Sequence, residues 1–116
     1  MPSRYWLFRI HDILEAINKI QKYTQDMEFN HFAADRKTVD AVIRNMIIIG
    51  EAASHIPEEI CQTNSDIPWQ DMRAMRNFIV HEYFGVSDNI LWDTVKVDLP
   101  SLIPLLISIK DIRERT

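Results

Sequence analysis

The 116 residues are enough for one domain with a core of its own, since 47% of them are hydrophobic and 26% are charged. The formal net charge of −4 counts against a general nucleic-acid coat protein, which would usually be basic, but it is compatible with a small local cationic site. The presence of only 2 glycines argues against a β-rich protein with many tight turns and against a Gly-rich phosphate-binding loop. We therefore expect a single domain over residues 1–116.

Cysteine and histidine usage gives no sign of a disulfide or a metal site. Cys61 is the single cysteine, which excludes an internal disulfide and a cysteine-based zinc site and fits a reducing compartment. His11, His31 and His55 lack metal-ligand spacing with one another. We expect neither a metal nor a cofactor.

Neither a signal peptide nor a membrane segment is expected. Residues 1–6 lack the apolar core of a signal peptide. No apolar run reaches the roughly 18 residues that cross a membrane. The sequence therefore predicts a cytoplasmic protein that does not associate with a membrane.

The first half of the chain is predicted to form two long helices. Isoleucines recur at three- and four-residue spacing, which indicates a helix with one buried stripe from about Arg4 to Asp26. Residues 28–34 are predicted to form a connection with about one helical turn. Asp35 is a suitable N-cap for a second helix that runs to about residue 54.

The next stretch is predicted to contain a short helix, a loop and a third long helix. Pro57 can begin a helix over residues 57–62, and residues 64–68 have the composition of a loop. The third long helix is predicted from Trp69 to about Phe84, with Gly85 as its stop.

The C-terminal part is predicted to add a short helix and a last long one. Ser87 or Asp88 can cap a helix that runs to about Val95, and the last helix covers about residues 98–115. Pro104 should bend this helix or weaken its start. Because no strand or repeat is evident, we predict an all-α, up-and-down bundle of four main helices with short additional helices.

The third long helix carries the segment with the most chemistry, Arg76 to Tyr83. Arg76 is a permanent cation whose planar fork of donors suits a phosphate. Histidine gives and takes protons readily near neutral pH, so His81 is a candidate acid or base. The hydroxyl of Tyr83 can donate, accept or be modified. A phosphate clamp beside an imidazole is the minimum set for cutting RNA without a metal.

The spacing of these residues predicts a shared site. Residues five apart on a helix differ by about 140° in direction and about 7.5 Å in height, so Arg76 and His81 do not share one face. Tyr83, seven residues from Arg76, nearly does, with Arg73 on the same stripe. The long Arg76 side chain can reach around the helix, or the helix can loosen near Gly85. A symmetric dimer in which two copies of the motif face each other is the route we favour.

Structural roles compete with functional ones at each position. On spacing alone, Arg76 is a surface arginine, and His81 is a residue that the helix dipole favours near the C-terminus. Asn77 is either an exposed polar residue or a group that orients the phosphate or His81. Tyr83 alone would be a half-buried amphipathic side chain.

Two neighbouring residues of the second long helix stand out. Gly50 costs about 1 kcal/mol in a helix relative to alanine, which suggests that another helix approaches closely there. Glu51 is either a surface carboxylate or the partner of an arginine, with Arg44 and Arg73 as the candidates. The apolar run at residues 46–49 is expected to meet a partner subunit in part.

Four blocks of the chain, in order, resemble the HepT-like toxins of the HEPN superfamily. One is the Arg-x4-His-x-Tyr signature formed by Arg76, His81 and Tyr83. The others are Asp40–Ala53 with an Ile-Gly-Glu-Ala box, Trp69–Asn77 with a tryptophan-to-Arg-Asn helix, and Asn89–Pro100. The resemblance covers nearly the whole chain, and four ordered blocks are far more specific than the Arg-x4-His spacing alone.

The resemblance implies a homodimeric, metal-independent endoribonuclease that attacks with the ribose 2′-hydroxyl and leaves a cyclic phosphate. Its catalytic residues would be Arg76, Asn77 and His81. From their positions on the helices we expect Arg73 and Glu51 to support the cleft. The resemblance also implies a partner, the minimal nucleotidyltransferase MNT, which acts as the antitoxin by transferring AMP to Tyr83.

Two other readings from the residues stay open. The chain could be a non-catalytic helical subunit that partners a nucleotidyltransferase, which suits the acidic net charge somewhat better than a nuclease does. It could also be a plain helical dimerisation domain, but that gives no reason for Arg76, Asn77, His81 and Tyr83 to occur together.

Overall fold

The computed structural model describes residues 5–115, with side chains as far as residue 112. Its α-helices are α1 (Trp6–Tyr23), α2 (Phe29–Ala34), α3 (Arg36–Ala53), α4 (Glu58–Thr63), α5 (Trp69–His81), α6 (Asp88–Asp93) and α7 (Leu99–Arg115). Residues 5–115 contain no β-strand, so the predicted all-α fold is confirmed, with α1, α3, α5 and α7 as the four long helices. No helix in this part of the chain is long and apolar enough to cross a membrane.

Helix α3 is the centre of the bundle because it packs against α1 on one side and α5 on the other. It begins where the sequence predicts, since the Asp35 carboxylate accepts hydrogen bonds from the backbone N–H and the hydroxyl of Thr38. These two hydrogen bonds hold the pKa of the Asp35 carboxyl below its usual value, and the bond from the Thr38 hydroxyl has the larger effect. Val39 and Val42, on one face of α3, are fully buried.

The predicted stripe on α1 forms much of the core. Ile10, Ile13, Ile17 and Ile20 are each 0% exposed, and α7 packs on the same helix. The predicted start at Arg4 lies outside the described residues. The helix ends three residues earlier than predicted, because the chain turns at Asp26, which has a left-handed φ of 63°.

The end of α5 differs from the prediction in a way that matters for the site. The helix ends at His81 rather than near Phe84, since Glu82 leaves helical geometry with φ −123° and ψ 39°. The residues that follow form a 3₁₀ turn, Tyr83–Gly85. Gly85 does not have a positive φ, so it is not the left-handed stop that the sequence suggested.

The C-terminal elements follow the prediction more closely. Ser87 caps α6, since its hydroxyl accepts from the backbone N–H of Ile90 at 3.5 Å. A π-helical turn, Thr94–Asp98, joins α6 to α7. Helix α7 then continues through Pro104 as one helix to Arg115.

Candidate active site

The close crossing of α3 and α5 depends on Gly50. A Cβ atom added to Gly50 would lie 2.2 Å from the Cβ of Arg76 and 2.7 Å from the backbone oxygen of Met72. Only a residue without a side chain allows the two helices to approach so closely. The prediction that another helix approaches Gly50 is therefore confirmed, and this contact places Arg76 directly against α3.

Arg76 is held at this crossing by two polar side chains. Its Nη2 lies 3.3 Å from Oε1 of Glu51 on α3, and its Nη1 donates to Oδ1 of the neighbouring Asn77 at 3.0 Å. Its Nε is buried and has no hydrogen-bond partner among the described residues. Because a guanidinium has five N–H groups, Arg76 keeps donors for a further anion while its position is fixed.

Glu51 has a different partner from those expected. Glu51 pairs with Arg76 and with neither Arg44 nor Arg73. The Nδ1 atom of His55, one helical turn later, lies 3.9 Å from Oε2 of Glu51. The Glu51 side chain is half-exposed, so the pair is partly solvated and contributes mainly by orienting Arg76. The sequence missed this pair because it depends on the α3–α5 crossing, which no local pattern reveals.

Arg73 has partners of its own at the C-terminal end of α3. Its Nε donates to the backbone oxygen of Ala53 at the end of α3, and its Nη2 lies 3.2 Å from Sγ of Cys61. Burial raises the pKa of the Cys61 thiol, while Arg73 acts in the opposite direction. This arrangement gives Arg73 a structural contact at the C-terminus of α3, and its place in a cleft with Arg76 stays a prediction.

His81 and Arg76 point in different directions. His81 is the last residue of α5 and is exposed, whereas Arg76 lies against α3. Their five-residue separation on one helix corresponds to about 140° and about 7.5 Å. Asn77 is exposed beside Arg76. One protomer therefore presents a fixed cation and a solvent-facing imidazole on neighbouring faces of one helix.

Tyr83 does not share the Arg76 stripe, because α5 ends before it. Its hydroxyl donates to Oδ1 of Asp40 on α3 at 3.3 Å. Asp40 and Glu51 are about 16 Å apart along the axis of α3, since each helical residue adds a rise of about 1.5 Å. The expectation that Tyr83 lies directly beside the Arg76 clamp in the same protomer is therefore wrong.

Asp40 is the residue near the motif that sequence reasoning did not single out. Asp40, Arg44, Ile47 and Glu51 are spaced by four, three and four residues, which places them on one face of α3. This spacing is the sequence pattern from which a role for Asp40 could have been predicted. It links the Tyr83 and Arg76 contacts along one surface of the bundle.

The end of α5 and the turn after it expose several apolar side chains. Phe84 is 100% exposed, and Phe78, Val80 and Tyr83 are each between 44% and 46% exposed. The Tyr83 and Phe84 rings meet edge to face with centroids 5.4 Å apart. A patch of this kind next to Asn77 and His81 has the composition of an association surface.

A separate cavity of about 380 Å³ lies between α3, α5 and α7. Its apolar lining is Met46, Ile49, Met72, Met75, Leu99, Leu102 and Leu105. Neither Arg76 nor His81 lines it, so it is not the site of the motif. Within the described residues, no three His, Cys, Asp or Glu side chains come together to hold a metal ion.

The geometry defines a helical bundle with an Arg-x4-His motif set against a carboxylate of the neighbouring helix, and comparison with known families agrees. The chain belongs to the HepT-like ribonuclease family, since residues 13–109 match the family model described as Ribonuclease HepT-like. This confirms the resemblance seen in the sequence.

Two relatives show the extent of the similarity. A protein of Thermococcus cleftensis named as a probable ribonuclease HepT is 46% identical over 93 residues, which is 80% of this chain and 84% of that protein. A protein of Methanocaldococcus jannaschii, provisionally named as an RNase, is 37% identical over 114 residues, which is 98% of this chain and 89% of that protein. No match to the chain was found among solved structures.

Proposed function

We propose that this protein is the toxin of a HepT/MNT toxin–antitoxin pair and a metal-independent endoribonuclease whose site is completed in a homodimer. The observation that carries the proposal is the fixed position of Arg76. Glu51 and Asn77 hold the guanidinium in place while its remaining Nη–H groups stay available for a phosphate. The family's ribonuclease description is consistent with this use.

The proposed reaction is attack of a ribose 2′-hydroxyl on the adjacent phosphorus. The new O–P bond forms while the bond to the 5′-oxygen breaks, which leaves a 2′,3′-cyclic phosphate and a 5′-hydroxyl. Arg76 neutralises the charge that develops on the phosphate oxygens. His81 serves either as the base that takes the 2′ proton or as the acid that protonates the leaving oxygen. Asn77 orients Arg76 and the phosphate.

A dimer solves the problem that Arg76 and His81 point in different directions. A two-fold axis near the end of α5 would bring His81 of one copy to the Arg76 side of the other. The exposed Val80 and Phe84 beside the motif give such an interface apolar area. Part of the run at residues 46–49 is expected to contribute, since Ile47 and Ile48 are only half-buried.

Cleavage is expected to continue when divalent metals are removed. In the proposed reaction Arg76 and His81 supply charge neutralisation and proton transfer, so no metal-bound hydroxide is needed. We expect an RNA oligonucleotide to be cut at an unchanged rate in excess EDTA, with 2′,3′-cyclic phosphate ends detected by mass spectrometry. A strict requirement for magnesium, or 5′-phosphate ends, would contradict the mechanism.

The antitoxin is proposed to act on Tyr83. Tyr83 is half-exposed in the turn that follows α5, next to the surface that the dimer would use. An AMP group there would add a purine and a negative charge at the edge of the proposed cleft. Inhibition would then result from occupation of the cleft, with no need for unfolding.

Incubation with the cognate nucleotidyltransferase and ATP is expected to raise the mass of the protein by one or more AMP units. Tyr83→Phe should block this gain because it removes the acceptor oxygen. Tyr5→Phe and Tyr23→Phe are matched controls, since both tyrosines are exposed on α1 or just before it. Modification mapped to Tyr5 or Tyr23, or a modified protein that cuts RNA at the full rate, would refute this part of the proposal.

The second candidate function is a non-catalytic partner subunit of the nucleotidyltransferase. The net charge of −4 is the observation that favours it. Measurement of RNA cleavage with and without the purified partner separates the two, because a binding subunit would not cut RNA in either case.

A further inference from the structure

The Tyr83 hydroxyl is bonded to a carboxylate of α3, and a cation of the same helix lies one turn from that carboxylate. Its hydroxyl donates to Oδ1 of Asp40 at 3.3 Å. Arg36 begins the same helix one turn before Asp40, at a height difference of about 6 Å. The Tyr83 side chain is 44% exposed, so an incoming reagent can reach the hydroxyl while Asp40 holds it.

Arg36 keeps donors for a further anion. Its Nη1 donates to Oδ2 of Asp88 at 2.9 Å and to the backbone oxygen of Ala33 at 2.9 Å, and no bond from its Nη2 or Nε is found in the described part of the chain. Its pKa is raised first by the hydrogen bond to Asp88 and, to a smaller extent, by Asp40 and Tyr83, as expected when all three lie near the guanidinium.

We propose that Asp40 and Arg36 form the acceptor site for nucleotidyl transfer to Tyr83, with Asp40 taking the phenolic proton and Arg36 holding the transferred phosphate. This inference rests on the proposed modification of Tyr83. It names residues of the toxin itself that make this tyrosine, and not another exposed one, reactive.

Transfer of AMP to Tyr83 forms one bond at phosphorus and breaks another. The Tyr83 oxygen attacks the α-phosphorus of ATP, and a new O–P bond forms as the bond to the pyrophosphate oxygen breaks. The pyrophosphate leaves with the electron pair, and the phenolic proton passes to the Asp40 carboxylate. The product is a phosphodiester with one negative charge, which the free N–H groups of Arg36 can neutralise.

Arg36 fits the phosphate better than the arginines of the motif helix do. Arg73 is bonded to Ala53 and Cys61. Arg76 pairs with Glu51, which lies about 16 Å further along α3 than Asp40. Arg36 is therefore the arginine of the same protomer that we expect to pair with the AMP phosphate.

Two substitutions of Asp40 separate proton transfer from simple tethering. Asp40→Asn keeps the shape and the acceptor oxygen but is a far weaker base, whereas Asp40→Glu keeps the carboxylate on a longer arm. With the purified nucleotidyltransferase and ATP, we expect Asp40→Asn to lower kcat for AMP transfer by about 100-fold, with an unchanged KM for the toxin. Asp40→Glu should be less impaired than Asp40→Asn.

The remaining variants test Arg36 and supply a control. Arg36→Gln should lower kcat by about 10-fold, and Arg36→Lys should recover part of the loss because it restores the charge. Asp93→Asn is the matched control, since Asp93 is an exposed aspartate at the opposite end of α6 from Asp88, and its rate should equal that of the wild type. Circular dichroism melting of each variant monitors the fold.

The outcomes distinguish this inference from the proposal on which it rests. If the wild type is modified at Tyr83 and Asp40→Asn is modified at the same rate, the Asp40 inference is overturned while the proposed modification stands. An Asp40→Asn protein that reacts as well as or better than Asp40→Glu would show that the hydrogen bond tethers Tyr83 and takes no proton. If the wild type gains no AMP at Tyr83, the modification and the inference fail together.

Discussion

Arg76→Ala and His81→Ala are each expected to reduce RNA cleavage by at least about 100-fold, with the helical spectrum retained. Arg76→Ala removes the cation that is set against α3 by Glu51 and Asn77. His81→Ala removes an exposed imidazole from the last residue of α5, so the fold should not depend on it. Initial rates on a fluorescent RNA oligonucleotide measure both effects.

Matched controls exist for both substitutions. His31→Ala removes another exposed imidazole, on α2, and Lys19→Ala removes an exposed cation on α1. Both should cut RNA at the wild-type rate. Full activity in Arg76→Ala or His81→Ala would reject the assignment of these residues, and equal losses in the controls would indicate a general effect of charge.

Substitution of Gly50 is expected to have the largest effect on stability. The new Cβ of Gly50→Ala would lie 2.2 Å from the Cβ of Arg76, so α3 and α5 must move apart. The resulting loss should be about 1–3 kcal/mol, which exceeds the gain of about 1 kcal/mol from better helix propensity. Gly50→Val should lose more. Urea denaturation measures the free energy of unfolding, and RNA cleavage should fall with it because Arg76 is displaced.

The other glycine supplies the control for this experiment. A Cβ on Gly85 would meet nothing within 4 Å, and its φ is not positive, so Gly85→Ala should be neutral. A Gly50→Ala protein as stable as the wild type would show that the close crossing of α3 and α5 does not limit the size of this residue.

Local patterns predicted most of the fold. The isoleucine stripe of α1 and the Asp35 cap of α3 are local features, because each depends on residues three or four apart. The end of α5 was missed for a physical reason. Gly85 looked like a stop, but the helix ends at His81, and the turn that follows carries Tyr83 to Asp40, 43 residues earlier in the chain.

The candidate site was predictable in its residue types and less so in its contacts. Periodicity alone gave the angle between Arg76 and His81. The ion pair of Glu51 with Arg76 and the bond from Arg73 to Ala53 both follow from how α3 and α5 cross. A crossing depends on distant residues such as Gly50 and Met72, so no window of sequence contains it.

In the proposed dimer, each ribonuclease site takes Arg76 from one protomer and His81 from the other. The most direct test mixes inactive Arg76→Ala protein with inactive His81→Ala protein after mild denaturation and joint refolding. A mixed dimer contains one intact site, so a random mixture should recover about a quarter of the wild-type rate. If the mixture stays as inactive as its two components, each site lies within one protomer and the account is contradicted.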